Sequence, residues 1–287
     1  MTALRWGERT YVMGILNLTA DSFSGDGLAP EGRSAEAVLS AALAQADGFV
    51  AAGADILDVG AESSRPAQFY GQHPTLSAAD ESALAVPVVA ALAERFGAET
   101  LLSIDTTKGE VARAALGAGA AIVNDVWSGR RDPDTLRAAA EAGSYMVLMH
   151  NAEVAEYPRG VFDEVVAWLS DAIAAALAAG IDRDRLIVDP GIGFGKTPEH
   201  SIELLHRLGE LKGALGGLPL LVGTSRKRFI GELLGGAPPD ARLEGTAATV
   251  SLAIAQGADI VRVHDVEPMM RTVRVTDGIV RWTASRR

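Results

Sequence analysis

Residues 188–197, VDPGIGFGKT, admit two readings that lead to different folds. A phosphate-cradling P-loop follows G-x-x-x-x-G-K-[ST]; Gly195, Lys196 and Thr197 fit its end, but Pro190 stands where the first glycine belongs. The dinucleotide fingerprint G-x-G-x-x-G fails too, because Gly191, Gly193 and Gly195 are spaced two apart and Lys196 takes the next place. In the second reading RLIVD is a strand ending at Asp189, and the proline and glycines only steer the chain over whatever that acid binds. The surroundings of the stretch decide between them.

Working outward, apolar runs of strand length recur and end on polar or small residues: YVMGILN to Asn17, ADILDVG to Gly60, TLLSID to Asp105, AAIVND to Asp125, SYMVLMH to His150, RLIVD to Asp189, LPLLVGT to Thr224 and DIVRVHD to Asp265. They are nearly continuous rather than alternating, as strands buried on both faces are. Alanine-rich segments with apolar spacing of three and four lie between them, including 35–52, 81–96, 108–117, 162–179 and 242–256. Strand and helix thus alternate eight times, which predicts an α/β fold of the (β/α)8 TIM-barrel type. No Pro/Gly/Ser-rich linker interrupts residues 1–287, so one domain is expected.

Composition narrows the function classes. A chain of 287 residues with 48% apolar and 22% charged residues is globular. The most apolar helical stretch, near Trp168 to Ala179, is interrupted by Asp171, so no membrane span is expected. The N-terminal MTALRWGERTYV lacks a secretory pattern, and a cytoplasmic protein is expected. Without cysteine there are no thiolate zinc sites or cysteine nucleophiles, and a net charge of −11 argues against nucleic acid or an anionic membrane as partner.

In such a barrel, functional groups sit at the C-terminal strand ends. That makes Asn17, Glu62, Asp105, Asn124, His150, Asp189, Lys227 and the Arg262/His264 pair the candidates. Each has a plainer alternative, since Asn and Asp after strands also form turns and cap helices. For His150 and Asp125 that alternative is satisfaction of nearby backbone groups; for His200 and His206 it is a solvated helix face.

The stretches MGILNLTADSFS, GADILDVGAESSRP, SIDTTKGEVARAAL, IVNDV, VLMH, DPGIGFGKT, VGTSRKRFIG and RVHDV, in this order over residues 12–266, resemble the dihydropteroate synthase family of pterin-binding barrels. The resemblance implies condensation of 6-hydroxymethyl-7,8-dihydropterin pyrophosphate with 4-aminobenzoate, giving 7,8-dihydropteroate and pyrophosphate. It also implies Mg²⁺ as cofactor and a homodimer formed through the late helices.

Three compartments follow. A pterin edge presents two adjacent N–H donors, which suits a carboxylate accepting both, and Asp189 is the candidate. Asn124 offers donor and acceptor, and Asp105 stands where positive charge develops. By resemblance Val126, Met149, Phe194 and Lys227 line the slot, and Gly223 lets the ring approach the backbone. Asp105, Asn124, Asp189 and Lys227 are the expected catalytic set.

For pyrophosphate, Arg262 and His264 occupy alternate positions of the last strand and so share a face. Asn17 with Mg²⁺, and Arg65, complete that compartment, Asn17 being the metal-binding candidate. The alternative for Arg262 is a rim ion pair with Asp265 or Asp259. For aminobenzoate, and for sulfonamides that mimic it, the resemblance implies Phe23, Ser64, Arg65, Pro66, Ser225 and Lys227. Two loops, 19–33 and 61–77, read as lids. They depart from the family pattern: Ala20 stands for a proline, Asp26 is displaced by one, Ser64 replaces a threonine, and Arg228 follows SRK where a serine is common. Two rivals stay open, a pterin-binding domain that passes a methyl group to a corrinoid partner and a pterin-binding paralogue without synthase activity. Lys196 is expected beyond the pocket.

Overall fold

A computed structural model describes residues 4–19, 27–28, 34–62 and 75–282. Eight parallel strands form its centre: β1 Tyr11–Asn17, β2 Ile56–Gly60, β3 Leu101–Asp105, β4 Ile122–Asp125, β5 Tyr145–Met149, β6 Leu186–Asp189, β7 Leu221–Val222 and β8 Ile260–Val263. They are hydrogen-bonded in the order β6-β5-β4-β3-β2-β1-β8-β7. The remaining seam, between β6 and β7, is spanned by one bridge, Val188 to Leu220, where Val188 N donates to Pro219 O at 2.9 Å. The barrel is therefore nearly closed, as the alternation predicts. The seventh strand is shorter than LPLLVGT suggests, because Pro219 has no N–H for a ladder and the seam side is scarcely paired.

Helices occupy the intervals: α1 Ala35–Ala52, α2 Ala78–Phe96, α3 Gly109–Gly117, α4 Asp134–Ala142, α5 Val161–Ala178, α6 Pro198–His206, α7 Leu208–Ala214, α8 Arg228–Leu233, α9 Leu243–Ala255 and α10 Val266–Val280. The second begins three residues before the expected Glu81, because the Ser77 hydroxyl accepts from Asp80 N at 3.1 Å and caps the first turn.

Side chains divide by parity, since successive Cβ atoms point to opposite faces of a strand. Tyr11, Met13, Ile56, Ile122, Val147, Ile187 and Ile260 pack inside the barrel. Their neighbours Val12, Leu57, Leu102, Val123, Met146 and Val261 face outward into the larger core under the helices. At the N-terminal mouth Trp6 meets Tyr11 and Tyr145 edge-on, with ring centroids 5.9 and 6.1 Å away. With that end plugged by rings, polar chemistry is left to the opposite end, where the inward positions are Asp105, Asn124, Met149 and Asp189.

Gly14 shows how close the outer packing is. It lies on the outward face of β1, and a Cβ there would come within 2.7 Å of the Phe49 ring and 2.9 Å of Val266. Gly14→Ala should therefore destabilise the protein by about 1 to 3 kcal/mol through overpacking. A urea midpoint equal to that of the parent protein would contradict this packing.

Candidate active site

A single guanidinium organises the open end. Arg262, on β8, donates from Nε to Asp58 Oδ2 at 2.6 Å and from Nη2 to Asp105 Oδ2 at 2.8 Å. Asp58 also accepts from Asn124 Nδ2 at 3.0 Å. A carboxylate can only accept, so this bond turns the Asn124 amide nitrogen toward Asp58 and leaves its carbonyl oxygen for another donor. Asp105 and Asn124 are register partners across β3 and β4, and Met149 and Asp189 across β5 and β6. Burial raises the Asp105 carboxyl above the ordinary range; Arg262 opposes this, while Asp58, Glu81 and Asp125 reinforce it. The alternative for Arg262, a rim pair with Asp265 or Asp259, is not formed. Asp265 instead pairs with Arg226, and Asp259 with Lys212 at 2.6 Å.

Asp189 ends β6 with its carboxylate buried and one oxygen accepting from Gly191 N at 2.7 Å. Burial pushes its pKa up to about 6, against the backbone bond from Gly191 and the charges of Lys227, Lys196 and Arg262. The following turn is no phosphate loop. Phe194 N donates to Gly191 O at 3.0 Å, and Lys227 Nζ lies 4.0 Å from the centre of the Phe194 ring, a cation–π distance. Gly191 has φ +66°, and a Cβ there would sit 1.9 Å from His150 O, so only glycine fits. Lys196 does not run on past the pocket as expected. It folds back beneath the turn, buried, and donates to Phe194 O at 2.9 Å while its Nζ lies 2.8 Å from His150 Nδ1. His150 accordingly partners a lysine through its ring.

On the β7–β8 side, Ser225 Oγ lies 3.0 Å from His264 Nδ1 and accepts from His264 N at 3.2 Å. Ser225 thus stands with His264, the candidate for pyrophosphate. The turn bearing Ser225 and Lys227 is held by Arg226, whose φ is +57°. Its Nε donates to Asp265 at 2.9 Å, its N to Thr246 Oγ1 at 3.1 Å, and its carbonyl accepts from Arg242 at 2.8 Å. Gly223 opens toward the mouth: a Cβ there would meet only Arg262 Cβ, at 3.9 Å. Val126 and Met149 are buried beside Asn124 and Asp189. Asn17 ends β1 half-buried, opposite Gly60. Phe23, Ser64, Arg65 and Pro66 lie outside the described residues.

Other candidates take structural places. Asp125 accepts from Trp127 N, Gly129 N and Thr135 Oγ1 at 2.7 to 2.8 Å, the turn-forming alternative. Glu62 and the buried Glu81 both pair with Lys108. His200 joins Thr197 in a capping box, and His206 is exposed. Among the described residues no group of three or more His, Asp or Glu side chains is placed to hold a metal ion. Asp58 stands outside the expected set although it shares the inward parity of Ile56, the signal that could have found it; the Lys196–His150 pair, 46 residues apart, carried no such signal.

The family described as pterin binding enzyme matches residues 13–264. Dihydropteroate synthase of Synechocystis sp. is 43% identical over 286 residues, covering 98% of this chain and 93% of that protein. The Bacillus subtilis enzyme of that name is 39% identical, covering 97% and 92%. A crystal structure of dihydropteroate synthase from Clostridium difficile in the presence of pteroic acid superposes with a TM-score of 0.88 at 39% identity, covering 98% of this chain and all of that one. That from Xanthomonas albilineans with 4-aminobenzoic acid gives 0.85 at 38%, covering 96% and 94%. A likeness running through all eight strands, and through the strand ends where Asp105, Asn124, Asp189 and Arg262 meet, makes this chain a member of the pterin-binding enzyme family, in its dihydropteroate synthase branch.

Proposed function

We infer that this protein condenses 6-hydroxymethyl-7,8-dihydropterin pyrophosphate with 4-aminobenzoate. The observation that carries the reading is the inward set Asp105, Asn124, Asp189 and Arg262, in a chain alike to synthases over nearly its whole length. Asp189 accepts two hydrogen bonds from the pterin edge, Asn124 presents its carbonyl to the ring, and Phe194 and Met149 hold the faces. The arylamine lone pair forms the new C–N bond at the pterin methylene carbon while the C–O bond to pyrophosphate breaks and its pair leaves with oxygen. The amine then loses a proton. Asp105 lies beside the side on which positive charge grows, and the protein's part is positioning and electrostatics. His264 and Ser225, with the charge of Arg262 nearby, receive the leaving phosphates. Full-length likeness to synthases favours this condensation over methyl transfer to a corrinoid.

Mg²⁺ fits as a partner of the substrate rather than a caged ion: Asn17 offers one neutral oxygen, and magnesium readily takes one or two protein ligands with phosphate oxygens and water. When bound it neutralises the leaving pyrophosphate. A homodimer is part of the same reading, supported by apolar side chains exposed on the late helices, among them Leu233, Leu252, Val275 and Ile279. A cytoplasmic site of action suits a doubly phosphorylated substrate that cannot cross a lipid core unaided. No described helix is long and apolar enough to span a membrane.

Four outcomes test these points. Incubation with both substrates and Mg²⁺ should yield dihydropteroate and pyrophosphate in equal amounts, with EDTA stopping the reaction and excess Mg²⁺ restoring it; pterin binding without turnover would refute the assignment. Asp189→Asn turns an acceptor-only group into one that presents donors to donors, so pterin affinity should drop by roughly tenfold to a few hundredfold. For the unaltered protein, recognition needs the carboxylate, whose raised pKa means that affinity is full well above pH 6 and declines as pH falls through about 6. An ordinary aspartate would hold to about 4, so calorimetry showing no loss until that point would mean that burial does not raise the Asp189 carboxyl. Sedimentation should give twice the chain mass, and Leu252→Glu with Val275→Glu should shift it to the monomer; a parent protein that sediments as a monomer removes the dimer from the reading.

A further inference from the structure

A buried ammonium costs several kcal/mol in lost hydration unless its surroundings repay it, and methionine or leucine would fill the same volume without that cost. Lys196 is 3% exposed, yet the active-site chemistry above gives it no task. Its two contacts join segments that the site depends on. One is Phe194 O, in the turn that brings the Phe194 ring to the pterin slot. The other is His150 Nδ1, on the residue following Met149, whose own backbone N donates to Asp189 O at 3.0 Å. Gly191 wraps the ammonium closely, since a Cβ there would lie 3.3 Å from Lys196 Nζ. The acceptor is itself held still: the His150 ring packs 5.1 Å from Trp168 and 5.9 Å from Tyr157, and Tyr157 OH donates to Gly195 O at 2.6 Å.

Resting on the pterin reading of the site, we propose that Lys196 is a positioning residue for pterin recognition: it fastens the Gly191–Gly195 turn to His150 and Phe194, and its charge, standing behind Asp189, keeps that group an acceptor-only carboxylate. Asp189 faces Lys227, Lys196 and Arg262; Lys196 faces Asp189, Lys227 and His150; and His150 faces Lys196 and Arg130. Burial first, then Lys196 and Arg130, press the His150 pKa down to about 2, so its Nδ1 is a standing acceptor. Burial lowers Lys196 to about 7, with Asp189 opposing and Lys227 adding. As pH falls, Lys196 therefore gains its proton before Asp189, near 6, gains one, and its field is strongest where Asp189 begins to titrate.

The test titrates 6-hydroxymethylpterin by calorimetry into the full-length protein, Lys196→Met and Lys196→Arg, across pH about 5.5 to 7.5. Lys196→Met should bind about tenfold more weakly near pH 6, its midpoint raised by about one unit, while Lys196→Arg keeps the parent midpoint. In turnover, KM for the pterin pyrophosphate should rise in Lys196→Met and KM for 4-aminobenzoate stay as it was. A Lys196→Met protein with the parent affinity and midpoint overturns the proposal. If circular dichroism shows that this variant does not fold, His150→Leu carries the test, because loss of the acceptor drives Lys196 toward its neutral form; it should move the midpoint the same way, and an unmoved midpoint overturns the proposal equally. No binding by the unaltered protein would instead overturn the pterin reading itself, and this proposal with it.

Discussion

The guanidinium of Arg262 crosses the barrel interior to two carboxylates, and much of the open end depends on that crossing. Asp58 is wholly buried and Arg262 only 21% exposed on its side chain, so water does little to soften the pairing. Removing one member of a buried pair leaves the other charge without compensation, at a cost of about 3 to 5 kcal/mol. The same Asp58 oxygen receives the Asn124 amide, so one charged group fixes β8 against β2, β3 and β4 and sets which way the asparagine points. Local order at the site is thus electrostatic, whereas the lower barrel is held by interleaved apolar side chains.

A second level of order lies in the turns. Arg226 binds Asp265 while Thr246 and Arg242 hold its backbone, so the short segment with Ser225 and Lys227 is tied at several points around its left-handed residue. The β6 turn is secured from below by Lys196. Both turns place a side chain over the mouth, and Lys227 meets the Phe194 ring there. Rigid turns beside a polar floor suit a reaction that needs its partners aligned more than it needs a nucleophile.

Ser225 shows how close compartments overlap. Its place in the SRK motif assigns it to aminobenzoate by resemblance, but its hydroxyl lies against His264, the candidate for pyrophosphate. One short turn can serve both substrates because Ser225 and Lys227 flank Arg226 and diverge from it. Asp125 ends β4 and His150 follows the end of the adjacent β5, yet Asp125 organises its own turn within ten residues and His150 reaches Lys196.

By itself the sequence determined the alternation of strand and helix, the inward parity of Asp105, Asn124, Asp189 and Arg262, and the membership that their order betrays. Those features follow from periods of two and 3.6 residues and from motif order, which are local properties of a chain. Only the tertiary structure decided that Arg262 joins Asp58 and Asp105 rather than Asp259 or Asp265, and that Lys196 lies beneath its turn rather than beyond it. No periodicity links Asp58 to Arg262, 204 positions later; they meet because the sheet closes on itself and points both side chains at one axis.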